Sequence, residues 1–159
     1  MEGLRAGNQK GRVKAIGVSN FLPKHLERLL QEAEIVPAVL QIEVHPTFTQ
    51  EESRQLAQQH GIQIESWFPL SGRPDSQEML SLPVLTDLAK KYGKTPAQIV
   101  LRWHVELGLI PIPGSSNPEH IKENADIFDF ALSRDEVAAI SALNKGIRLA
   151  PDPDTFARK

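Results

Sequence analysis

Apolar residues recur along this chain with two periods: short β-branched runs alternate with stretches that repeat every three to four positions. The run RVKAIGVSN, from Arg12 to Asn20, is of the first kind, and PKHLERLLQEAE after it sets Leu26, Leu29 and Leu30 on one helical face. That pair reads as one βα unit. A second opens at Pro37, where Val39, Leu40, Ile42 and Val44 predict a strand, and Thr49-Gln50-Glu51-Glu52 predicts a capping box for a helix reaching His60-Gly61. Gly61 to Leu70 predicts the third strand. The turn-rich Ser71-Gly72-Arg73-Pro74 precedes two helical segments, LPVLTDLAKKYG and TPAQIVLRWHVELG, the second with Thr95 as N-cap and Pro96 at the first helical position. Leu109 to Pro113 predicts the fourth strand, with Asn117 and Pro118 opening its helix. A last helix starts at the capping box Ser133-Arg134-Asp135-Glu136 and closes near Gly146.

Strand and helix thus alternate, with the first three strand starts about 25 residues apart, a spacing that suits repeated βα units on a parallel sheet. Each strand runs into polar or turn residues before its helix: Ser19-Asn20, His45-Pro46, Ser71-Gly72 and Gly114-Ser115. Barrels and open α/β sheets place their binding groups there. The last junction, IPGSSNPEHIKEN, has the form of an anion site, because a strand, a Gly-Ser-Ser turn and a helix start aim backbone N–H groups at one point. No Lys or Arg lies between Arg102 and Lys122, so that loop lacks the side-chain cations an anion site normally has.

Composition narrows the picture. The chain has 159 residues, enough for one domain with a real core, and no cysteine, which excludes disulfides and thiolate metal sites. A net charge of −2 gives no sign of attraction to nucleic acid or membrane, and no apolar run approaches a membrane span. The polar start MEGLRAGNQKGRVKA does not resemble a signal peptide, so the expected location is the cytoplasm. Five scattered histidines without ligand spacing imply no metal. His104, beside Trp103 in a helix, reads as a packing or surface residue, His45 before Pro46 as a turn residue, and Tyr92 as helix-end packing.

The stretches GRVKAIGVSNF, LQIEVHP, ESWFPL, GKTPAQIVLRWH, IPGSSNPEHIKEN and the tail LAPDPDTF, in that order, resemble the aldo-keto reductases, in particular bacterial enzymes similar to 2,5-diketo-gluconate reductase. The resemblance implies an α/β fold, the C-terminal half of a (β/α)8 TIM-type barrel: strands five to eight with their helices. Residues 1–159 then form one partial domain, and residues 1–12 correspond to the end of the helix before strand five. A full barrel needs about 250 residues. The family's catalytic Asp, Tyr, Lys and His lie on the first four strands, so the resemblance implies no catalytic residue here and a chain inactive by itself.

It implies most of a nicotinamide-dinucleotide site. Ser19, Asn20 and Gln41 match the family's contacts to the nicotinamide carboxamide, and Trp67 matches the aromatic residue on which that ring stacks. Leu70 and Ser71 match positions near the pyrophosphate. Ser115 matches the family's serine, and Glu123 and Asn124 match contacts to the adenine amino group. Gly114 and His120 stand where the family has the Lys and Arg that hold the 2′-phosphate of NADP. Charge-assisted bonds contribute roughly 1.5–3 kcal/mol each, so their loss implies weakened NADPH and a cofactor that is NADH, or both. The full-length form is then expected to reduce aldehydes or ketones, keto sugars among them, to alcohols. The alternative is a dinucleotide-binding half-barrel or truncated product without catalysis, self-associating through exposed half-barrel edges.

Overall fold

The computed structural model describes residues 13–72 and 75–156; the expected helix end at residues 1–12 and the turn residues Arg73 and Pro74 lie outside them. Four strands, β1 (Gly17–Ser19), β2 (Val39–Glu43), β3 (Gln63–Trp67) and β4 (Ile110–Pro111), form one parallel sheet in chain order. The helices are α1 (Pro23–Glu32), α2 (Glu51–Gln59), α3 (Asp75–Leu80), α4 (Pro83–Tyr92), α5 (Pro96–Glu106), α6 (Pro118–Ala125) and α7 (Arg134–Ser141). Alternation along the strands divides the sheet into two unlike faces. Leu40, Ile42 and Ile64 are buried against the helices with Leu26, Ala57, Leu85, Ile99 and Trp103. Ser19, Gln41 and Glu65 lie in register on the opposite face, none of them buried.

Strand β1 passes so close to β2 that a Cβ on Gly17 would meet the Val39 carbonyl oxygen at 3.0 Å, so any larger residue there would push the two strands apart by a few tenths of an ångström. Helix α4 ends as its sequence predicts, with Gly93 in the left-handed region at φ 64°. Helix α5 opens on Thr95, whose Oγ1 accepts the N–H of Gln98 while Gln98 Oε1 accepts the N–H of Thr95.

Several expected boundaries are corrected. The third strand is Gln63–Trp67 rather than Gly61 to Leu70, because Gly61 (φ 66°) and Phe68 (φ 52°) leave the extended region. The fourth is two residues long, since Pro111 and Pro113 have no N–H to extend the ladder. The Thr49 capping box does not form: Gln50 precedes α2 in the left-handed region and no side chain caps the helix. Thr49 instead gives its N–H to Asn144 Oδ1 at 3.2 Å. The last helix stops at Ser141, well short of Gly146, because the Lys145 N–H bonds to the Thr47 carbonyl and turns the chain back over β2. Helix α3 occupies Asp75–Leu80, between the expected turn and the expected helix LPVLTDLAKKYG, where the sequence pattern predicts no element.

Candidate functional site

The C-terminal ends of the strands gather the predicted residues into two groups. Asn20, at φ 57°, turns the chain out of β1 and donates its N–H to the Gln41 carbonyl at 2.9 Å. Asparagine is among the few residues that adopt this backbone readily. Its Oδ1 accepts the indole N–H of Trp67 at 2.9 Å, so the ends of β1 and β3 are joined above β2. Ser19 is exposed and in register with Gln41, and Gln41 donates its amide to Glu65 Oε2 at 2.9 Å. Trp67 is half-buried and meets Phe68 edge-on, ring centroids 4.8 Å apart. Its N–H is therefore satisfied while part of its surface stays open.

The second group lines a cleft of about 400 Å³ between the end of β3 and the starts of α5 and α6. Leu70, Ser71, Gly114, Ser115, His120, Glu123 and Asn124 all lie on its wall, with Ser76, Leu80, Thr95, Pro96 and Ala97. Ser71, at φ 61°, donates its N–H to the Phe68 carbonyl, so the segment from Trp67 to Ser71 links the two groups through a tight turn. Two left-handed non-glycine residues in five positions mark a backbone held by its surroundings. Among the described residues, no Lys or Arg lines the cleft.

The loop at the start of α6 is less open to an anion than its sequence suggests. Ser115 Oγ accepts the Asn117 N–H at 3.1 Å and Asn117 Oδ1 accepts the Glu119 N–H at 3.0 Å. Pro118 has no N–H at all. Among the described residues, the Gly114, Ser115, Ser116 and His120 amides are the donors left free there.

Above the first group lies a set of contacts the sequence did not reveal. Glu43, fully buried at the end of β2, accepts the Leu149 N–H at 2.7 Å and the Ala150 N–H at 3.1 Å, and is 3.1 Å from His45 Nε2. Burial alone would raise this carboxyl's pKa, but the bonds from His45, Leu149 and Ala150 outweigh it and hold the group below the usual carboxylate range. His45, expected to serve the turn, is itself fully buried, with Nδ1 2.9 Å from Thr47 Oγ1. Farther along, Asp154 pairs with Lys24 and, at 2.8 Å, with His25 on α1. The tail is thereby tied to the end of β2 and to the first turn of α1.

The remaining candidates are structural. His104 is fully buried, its ring nitrogens 2.8 Å from the Val100 carbonyl and 3.1 Å from the Val44 carbonyl, and burial pushes its pKa down to about 4. Tyr92 donates its hydroxyl to Glu136 at 2.7 Å, outside the cleft wall. A larger cleft, about 510 Å³, sits at the opposite end of the sheet near Gly61 and Gly108 and includes none of the predicted residues. Among the described residues no group of three or more His, Asp or Glu is arranged to hold a metal, and no helix is long and apolar enough to cross a membrane.

Comparison with known proteins identifies the family. The sequence profile described as "Aldo/keto reductase family" matches residues 1–145. An aldo-keto reductase of Mycolicibacterium smegmatis is 50% identical over 147 residues, which are 92% of this chain and 52% of the relative. The 2,5-diketo-D-gluconic acid reductase B of a Corynebacterium is 48% identical over 153 residues, 96% of this chain and 54% of that protein. The crystal structure of a Gox0644 mutant in complex with NADPH superposes with a TM-score of 0.90 at 43% identity, covering 99% of this chain and 57% of that one. This chain therefore spans about half the length of the relatives it matches. A family profile that spans residues 1–145, with an identity of one half to a relative over 92% of the chain, makes this chain a member of the aldo/keto reductase family.

Proposed function

We propose that this chain is the dinucleotide-binding half of a carbonyl reductase, corresponding to strands five to eight of a (β/α)8 barrel. The observation that supports it best is that strand-end residues far apart in sequence form two groups, Asn20 with Trp67 and the cleft lined by Ser71, Ser115, Glu123 and Asn124, and that the segment from Trp67 to Ser71 links them into a path. The donor set fits a nicotinamide dinucleotide. Ser19, Asn20 and Gln41 supply amide and hydroxyl groups for a carboxamide, and the open face of Trp67 offers a stacking surface. Leu70 and Ser71 flank the middle of the path, and Ser115, Glu123 and Asn124 would meet the adenosine end. A bound dinucleotide supplies the hydride that reduces an aldehyde or ketone to an alcohol. The keto-sugar name of the Corynebacterium relative makes small dicarbonyls or keto acids the favoured substrates.

The residues of the path hold and orient; they do not protonate. Carbonyl reduction needs a proton donor within hydrogen-bond reach of the forming alkoxide. Tyr92, the one tyrosine in the sequence, is engaged with Glu136 away from the cleft. The 159-residue chain is accordingly expected to bind cofactor without turning over aldehydes, as measured by NADH oxidation; a rate comparable to a full-length relative would refute this.

Cofactor preference follows from the cleft wall. With Gly114 and His120 where the family has Lys and Arg, a 2′-phosphate meets no side-chain cation of fixed charge among the described residues of the cleft wall. Calorimetric dissociation constants should show NADH bound at least as well as NADPH to within tenfold. Gly114→Lys combined with His120→Arg should tighten NADPH by several tens-fold and leave NADH nearly unchanged. An unsubstituted chain that prefers NADPH by more than tenfold would contradict the proposal.

A further inference from the structure

Helix α6 places Glu123 and Asn124 on the cleft wall, yet none of its residues is buried, and Ile121 is 54% exposed. Apolar burial therefore does little to locate this helix. Polar contacts do it instead. Gln98, only 4% exposed in the first turn of α5, donates its side-chain amide to the carbonyl of Glu123 at 3.1 Å and to that of Asp126 at 2.8 Å. These belong to the end of α6, where the Glu123 carbonyl otherwise accepts only the Asp126 N–H at 3.0 Å and the Asp126 carbonyl lies past the last helical turn. Gln98 Oε1 meanwhile accepts the N–H of Thr95, the N-cap of α5, at 2.9 Å. One buried amide thus splices the start of α5 to the end of α6 with both its N–H donors and its carbonyl engaged. Lys94 reinforces the joint from outside, 2.8 Å from both Asp126 and Asp129.

Thr95 and Glu123, the two residues so joined, line the same cleft, whereas Gln98 is behind its wall. We propose that Gln98 is a positioning residue for the adenosine end of the site: it fixes Glu123 and Asn124 against the ligand without touching it. This rests on the dinucleotide reading above. The nicotinamide end is held by an independent set of bonds, through Asn20, Gln41 and Trp67. Loss of the Gln98 amide should therefore damage one end of the site and spare the other.

The test uses the full chain with Gln98→Leu, which keeps side-chain bulk but removes every side-chain hydrogen bond, and Gln98→Asn, which keeps the amide one methylene too short. Both should weaken ADP-ribose and NADH at least tenfold, leave reduced nicotinamide mononucleotide within twofold, and speed amide exchange across Pro118–Ala125 while β2 is unchanged. Should Gln98→Leu fail to fold, Gln98→Asn decides by the same ratios. ADP-ribose affinity within twofold of the unsubstituted chain, or an equal loss for the mononucleotide, would overturn the proposal. If the unsubstituted chain binds neither ADP-ribose nor NADH, the dinucleotide reading falls first, and the failure is visible before any substitution is made.

Discussion

Glu43 shows how one side chain ties remote parts of this chain together, since its carboxylate reaches two backbone amides more than a hundred residues away in sequence. Because its pKa is lower folded than unfolded, its contribution is full above the ordinary value of 4.5 and is lost as pH falls through the depressed folded value. Glu43→Gln turns one acceptor into a donor facing N–H groups, and should cost roughly 1.5–3 kcal/mol at pH 7 while exposing the tail beyond Gly146 to protease. A variant as stable and as protease-resistant as the parent would count against this role. His104 acts in a different pH window. Held neutral with a folded pKa of about 4 against 6.5 when exposed, it has no effect on stability above 6.5 and lowers stability between those values. The slope should approach about 1.4 kcal/mol per pH unit. Urea midpoints measured from pH 7 to 4.5 should fall more steeply for the parent than for His104→Leu; equal slopes would sink the assignment.

At the scale of elements, two nearly identical signals had opposite fates. Thr95-Pro96-Ala97-Gln98 forms its capping box, and Thr49-Gln50-Glu51-Glu52 does not. The first is decided locally, by bonds within four residues. The second is overridden because Asn144 arrives from the far end of the chain to take the Thr49 N–H, and Gln50 turns left-handed to bond the Glu43 carbonyl with its own amide. Thr95→Ala should cost about 1 kcal/mol in thermal or urea unfolding. The same substitution at Thr49 removes no helix cap, so any loss there must come from its buried packing instead. A drop at Thr95 of less than a few tenths would show that Gln98 alone holds the start of α5.

At the scale of the molecule, β1 and β4 each pair on one side only among the described residues, and Ile110, Ile112 and Phe128 are 48%, 44% and 72% exposed near the β4 edge. Unpaired edges beside apolar surface favour association. Sedimentation velocity across a concentration series should show a growing larger species; one monomer boundary throughout would argue otherwise.

Apart from α3, the order of strands and helices, the starts of α5, α6 and α7 and the strand-end positions of the candidate site were legible in the sequence, because each depends on periodicity or on caps acting within one turn. So was the absence of Lys and Arg from the Gly114 loop. The sequence could not show that Asn117 and Ser115 would use up donors expected to face an anion, that Glu43 and His45 would be buried beneath the tail, or that Gln98 would bridge two helices. Those depend on partners 25 or more residues away or on rotamers set by packing, and only the folded chain brings such groups within hydrogen-bond distance.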